Sequence, residues 1–251
     1  MPPPRRAALS GFGLKWLAVC TMLADHIGAA ILEPVFLLPL YGLYEGGGGG
    51  LPGWYGPLLL TDMALRTVGR LAFPLFCFLL AEGFCHTRDR RRYALQLLTF
   101  ALLSEIPFDL AFALTPFAPD YQNVYFTLFF GVLSLQLLVW LEGRALLQVL
   151  GMGLCCLAAA GLSADYGAMG VLLVALFYLT RQRPAARAAM GSAALLSLGA
   201  SELPALFSFL PISLYSGQKG RGPKWFFYWF YPLHLLLLWG VGRLIALALN
   251  G

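Results

Sequence analysis

The sequence predicts an all-α, polytopic transmembrane helical bundle of about eight or nine spans, on three observations. Only 12% of the 251 residues are charged and 59% are hydrophobic, where a soluble domain carries about 25% charged residues and could not otherwise cover its surface. The mean hydropathy is +0.74, carried by apolar runs spread along the whole chain rather than by one segment. The cations are clustered, at Arg5, Arg6 and Lys15, at Arg88 to Arg92, at Arg181 to Arg187, and at Lys219 to Lys224.

In a membrane protein such clusters mark cytoplasmic loops. They account for the net charge of +5 without nucleic acid, which is excluded as a partner. The expected partner is the lipid bilayer and the expected location a cell membrane, multi-pass. The five cysteines lie in or beside apolar runs with no CxxC or Cys/His spacing, so they read as small hydrophobes and no metal is expected. The N-terminal MPPPRR and the run behind it read as a retained first span, because no small-x-small cleavage site follows.

The first span covers about residues 12–32, with its basic flank cytoplasmic. Residues 33–62 hold four prolines and five consecutive glycines at 46–50, and read as a flexible outer loop of one integral-membrane domain covering residues 1–251. Span two covers about residues 65–84, has Arg70 in its first half, and is kinked by Pro74. A basic loop, HTRDRRR, returns the chain inside. Span three runs from residue 93 to about 114 and is interrupted by Glu105, Pro107 and Asp109. Spans four to six cover about 124–141, 145–162 and 167–180, with Asn123 opening the fourth. Residues 188–215 form either one long span or two half-spans broken at SELP. Two half-spans put the following GQKGRGPK loop inside, where its cations belong. The last span, about 225–249, opens with the aromatic belt WFFYWFY and contains His234.

Polar groups inside such spans cost roughly 2.5–3.5 kcal/mol each at a helix centre and are usually functional. The stretch KWLAVCTMLADHIG begins with Lys15 and carries Asp25 and His26 near its far end. Lys15 and His26 are eleven residues apart, roughly 16 Å along a helix, which sets His26 halfway or more across the membrane. Asp25 and His26 point about 100° apart. Arg70 stays charged and needs a partner or a polar cavity. Glu105, Asp109 and Asn123 belong to the same outer level, so polar groups from four spans converge there. One base beside one cation suits acyl transfer. The same groups suit a proton-coupled transporter, and periodicity does not separate the two. Lys219, Arg221 and Lys224 read equally as orienting charges or as phosphate ligands, and His234 equally as a site residue or a bundle hydrogen bond.

The chain resembles the TraX family of membrane proteins, named for acetylation of conjugative pilin. The resemblance is carried in order by KWLAVCTMLADHIG, RTVGRLAFPLFCFLLAEGFCHTRDRRRY, SEIPFDLAF, QNVYFTL, DYGAMGVL and LYSGQKGRGPKWFFYWFYPLHLLLL. It is more distantly similar to the integral-membrane acyltransferase-3 group, where ten residues separate an Arg from a catalytic His; Lys15 and His26 have that spacing here. The resemblance implies a bacterial plasma-membrane acetyltransferase that moves acetyl from cytoplasmic acetyl-CoA to a peptide amine or glycan hydroxyl. It makes His26 the base or a transient acetyl carrier, and Arg70 the holder of the thioester or CoA end, or of the oxyanion. A non-catalytic membrane subunit of a secretion or conjugation assembly is the other alternative beside the transporter.

Overall fold

The computed structural model describes residues 9–47 and 50–250. Its first element is much longer than one span. Helix α1 (Gly11–Ile27) runs without a break through a π-helical segment (Gly28–Leu37) into α2 (Leu38–Glu45). Ser10 starts it, its side chain accepting from the Gly13 amide at 3.2 Å, as an N-cap serine does. The flexible loop expected over residues 33–62 is therefore mostly helix; only 46–54 connects α2 to α3 (Tyr55–Gly69). The prolines that suggested a loop sit where helices tolerate them. Pro57 occupies a first turn, whose amides have no intrahelical partner, and Pro39 lies just after the π segment. Pro34 sits within the π segment, where the widened turn absorbs its missing amide. Of the glycines at 46–50, residues 48 and 49 lie outside the described residues.

Helix α3 is followed by α4 (Ala72–His86), with a turn at Arg70 and Leu71 between them. Pro74 explains the break: it has no amide to offer the Arg70 carbonyl four residues earlier. The kink expected at Pro74 is thus a break at Arg70 itself. Helices α5 (Arg90–Phe112), α6 (Val124–Trp140), α7 (Ala145–Gly161) and α8 (Gly167–Leu179) follow, close to the predicted spans. Then come α9 (Pro184–Leu196), a 3₁₀ segment (Ala200–Ser208) and α10 (Phe209–Ser213), and finally α11 (Lys224–Asn250); the two half-spans part at residues 197–199, where Gly199 has φ of 130°, and not at SELP, which lies inside the 3₁₀ segment. Among the described residues there are no strands, only isolated bridges such as Leu9 with Tyr215.

That bridge fixes the topology. The Leu9 amide donates to Leu214 O at 3.2 Å, Ser216 N to Leu9 O at 2.8 Å and Gly11 N to Gln218 O at 2.8 Å. The half-spans therefore return to the face where α1 begins. The basic connections at 87–89, 141–144, 180–183 and 216–223 share that face, while 50–54, 113–123 and 162–166 on the opposite face contain no Lys or Arg. By the positive-inside rule the basic face is cytoplasmic. Four helical elements, Gly11–Glu45, Tyr55–His86, Arg90–Phe112 and Trp225–Leu249, are long and apolar enough to cross a membrane, and three shorter apolar helices accompany them. The inner half holds fully buried Leu14, Phe78, Phe84, Leu135 and Phe177. The outer half is left open around the polar groups.

Candidate functional site

Asp25 and His26 diverge as consecutive helical residues must. Asp25 turns to α3, where its Oδ2 accepts from Arg66 Nη1 at 2.6 Å. His26 turns to α11, its Nδ1 lying 2.7 Å from His234 Nε2. The two rings are 3° from parallel with centroids 5.0 Å apart, the separation of imidazoles bonded edge to edge rather than face to face. His234 Nδ1 in turn lies 2.7 Å from Phe230 O. A carbonyl only accepts, so His234 Nδ1 carries a hydrogen. With His234 neutral, its Nε2 accepts, and His26 Nδ1 is the donor. This hydrogen-bond chain assigns the tautomer of His26: its lone pair is on Nε2.

Around this pair, α1 and α3 press closely together. Arg66 Nε also reaches Glu33 Oε1 at 3.2 Å, a carboxylate supplied by the π-helical segment. The crossing depends on two glycines. A Cβ on Gly69 would collide with the Asp25 side chain, and one on Gly28 would lie 2.6 Å from Asp62 Oδ1. Arg70, at the helix break, donates to Glu202 Oε1 at 3.0 Å. Glu202 is buried at the start of the 3₁₀ segment, so the break between the half-spans meets the break in span two. From the outer side, Tyr121 donates to Asp165 Oδ1 at 2.5 Å. Burial pushes the Asp165 carboxyl up to about 6, and the Tyr121 hydrogen bond pulls against it.

These groups surround a cavity of about 420 Å³. His26, Asp25 and Arg70 line it at mid-depth, and Glu33, Tyr121 and Asp165 line it toward the outer face. No residue of a cytoplasmic connection is among its lining. Among the described residues no three His, Cys, Asp or Glu side chains are arranged to hold a metal ion.

The other residues singled out in the sequence are placed differently. Lys15 does not line the cavity; it lies three turns from His26 on α1, its Nζ 5.4 Å from the Phe227 ring centroid. Lys219 and Arg221 are exposed on the inner loop, on the face opposite the cavity mouth. Glu105, Asp109 and Asn123 lie at the expected level but outside the lining. Asn123 caps α6 through the Tyr125 amide at 3.0 Å and donates to Glu105 Oε2 at 2.5 Å and Ala101 O at 2.8 Å. Asp109 Oδ2 accepts from the Ala118 amide at 2.8 Å. They tie α5 to α6 because their reach is taken up by nearby backbone.

Sequence reasoning missed Arg66, Glu33, Asp165, Tyr166 and Glu202. A signal for Arg66 existed: it stands one turn before Arg70 and so on the same helix face.

Apolar helices enclosing a polar cavity at mid-depth, with His26 in its wall and His234 bonded behind it, define an integral membrane protein with a buried polar pocket. The chain belongs to the TraX family, whose sequence profile, described as TraX protein, matches residues 10–242. It is also 30% identical over 260 residues to the probable fimbrial assembly protein FimC, serogroup H1, of Dichelobacter nodosus, a match covering 93% of this chain and 96% of that protein. No solved structure matches the chain.

Proposed function

We propose that this protein is an integral-membrane acetyltransferase that moves acetyl from cytoplasmic acetyl-CoA to an amine or hydroxyl acceptor entering the outer cavity. The observation that carries the reading is the His26–His234–Phe230 chain, which leaves the Nε2 lone pair of a cavity-lining histidine as an acceptor. A histidine so oriented is a general base whose partner supports the charge it gains. Arg70, in the same cavity, supplies positive charge where the carbonyl oxygen becomes negative. Lys219 and Arg221 lie on the face where acetyl-CoA is present, and would meet its phosphates there. The thioester arm must then pass the packed layer of Leu14, Leu75 and Phe78, so the reading requires that this inner layer part during turnover. The family name and the fimbrial relative support an acceptor among proteins of pilus or conjugation assembly.

A second reading is favoured by one feature. A broken span, a pair of half-spans and titratable groups at mid-depth are also the architecture of proton-coupled transporters. Thiol release from acetyl-CoA by purified protein separates the two. The acetyltransferase releases thiol, and His26→Ala and Arg70→Ala each slow it at least about tenfold, or roughly 1.4 kcal/mol in barrier. A transporter releases none and instead drives proton-coupled uptake into sealed vesicles.

A further inference from the structure

The connection between α7 and α8 carries two side chains into the cavity, on a backbone that L-residues rarely adopt. Ser163 and Tyr166 have φ of 50° and 60°. Such positions cost on the order of 1–3 kcal/mol and persist only where the surroundings fix them. Here the α5–α6 side does so. Asp165 N donates to Gln122 O at 2.9 Å, Gln122 N donates to Ser163 O at 3.1 Å, and the Thr127 hydroxyl donates to Asp165 O.

The held residue is Tyr166. Its ring lies flat on Phe73, with centroids 3.6 Å apart and planes 5° apart. Gly170 makes room for this pair, since a Cβ there would lie 2.8 Å from Phe73 Cζ and 3.2 Å from Tyr166 Cβ. Tyr166 lines the same cavity as His26 and Arg70, so its ring carries a hydroxyl on the side of the cavity where the Arg70 guanidinium lies. An arginine only donates, so toward Arg70 the tyrosine oxygen can act only as an acceptor. The Tyr166 O–H hydrogen is left for another acceptor, and the guanidinium makes it a better donor.

We propose that Tyr166 is a catalytic residue, the donor that together with Arg70 binds the oxyanion of acyl transfer; this rests on the acetyltransferase reading. In the step, the acceptor nitrogen or oxygen bonds to the acetyl carbonyl carbon, and its proton goes to His26 Nε2. The carbonyl π electrons move to oxygen, which takes hydrogen bonds from Tyr166 Oη and Arg70. On collapse the C–S bond breaks and sulfur leaves with the proton from His26, giving the free thiol and the acetylated acceptor. The strained backbone fixes the donor where the negative charge develops, and that pre-organisation is what an oxyanion site needs.

The test compares wild type, Tyr166→Phe and His26→Ala in transfer from acetyl-CoA to a peptide amine, with thermal unfolding as a folding control. Tyr166→Phe keeps the ring on Phe73 and removes only the hydroxyl. The expected result is a fall in kcat of about a hundredfold with KM for both substrates nearly unchanged. A Tyr166→Phe kcat near wild type, with His26→Ala inactive, overturns the role of Tyr166 and leaves the acetyltransferase reading standing. No transfer by wild type, or equal transfer by His26→Ala, overturns that reading and the Tyr166 role with it. Should Tyr166→Phe unfold, 3,5-difluorotyrosine at this position serves instead. Its more acidic phenol must lose activity at a lower pH than wild type does, and an unchanged pH profile overturns the proposal.

Discussion

Two clusters of buried polar side chains lie at one level of the bundle, and they have opposite uses. In the first, His26, Asp25, Arg66 and Arg70 take partners from side chains of other helical segments, His234, Glu33 and Glu202 among them, and line an open cavity. In the second, Asn123 and Asp109 take mainly backbone partners, the Tyr125 and Ala118 amides and the Ala101 carbonyl. Both are expensive to place in a membrane. What separates them is where the polar atoms go. Bonds to nearby backbone fix α5 against α6 and keep these side chains out of the cavity. Bonds between side chains that face a space leave a lone pair and two cations available.

The comparison breaks most sharply at His26. His26→Ala should lower acetyl transfer by about a hundredfold to ten-thousandfold, the range for a general base, with little change in thermal unfolding in detergent. A large loss of stability with normal turnover per folded molecule would move His26 into the structural cluster. Next is His234→Ala, which frees His26 to take either tautomer. Losing such an orienting partner costs about 10–100-fold, read in kcat, with KM nearly unchanged.

Asn123→Ala should behave in the opposite way. It removes a cap and buried hydrogen bonds, a loss of about 1–3 kcal/mol in stability, while turnover per folded molecule stays near wild type. A pH effect follows from Asp165, whose carboxyl is raised from 3.8 to about 6 by burial. The folded state holds that proton more tightly than the unfolded chain does. The contribution to stability is therefore fully present below pH about 3.8 and is lost as pH rises through about 6. Thermal unfolding scanned across that window should flatten in Asp165→Asn. The smallest effect belongs to Lys15, outside the cavity: Lys15→Gln should change turnover by less than about twofold, as substitutions away from a site do.

Much of this was legible in the sequence. Apolar runs placed most of the helices and anticipated a pair of half-spans, although the break falls at residues 197–199 and not at SELP. The costs of His26 and Arg70 in a membrane marked them before any contact was known. Prolines misled over residues 33–62, because Pro34 and Pro39 fall in and just after a widened helical turn and Pro57 in a first turn rather than in a loop. The pairing of His26 with His234 could not be read, since 208 residues separate them and the register of α11 against α1 is set by packing. Tyr166 was hidden for a related reason: a left-handed φ is imposed by the neighbouring loop, not by the Asp-Tyr-Gly sequence alone.

The most direct measurement is acetyl transfer across a sealed membrane. Protein is reconstituted with its basic loops facing the lumen, labelled acetyl-CoA is enclosed, and a peptide amine is supplied outside. Labelled peptide should appear outside while free thiol accumulates within, and His26→Ala should abolish both. Labelling that continues unchanged in His26→Ala, or peptide that is never labelled by wild type, would contradict a transfer site built on His26 in the outer cavity.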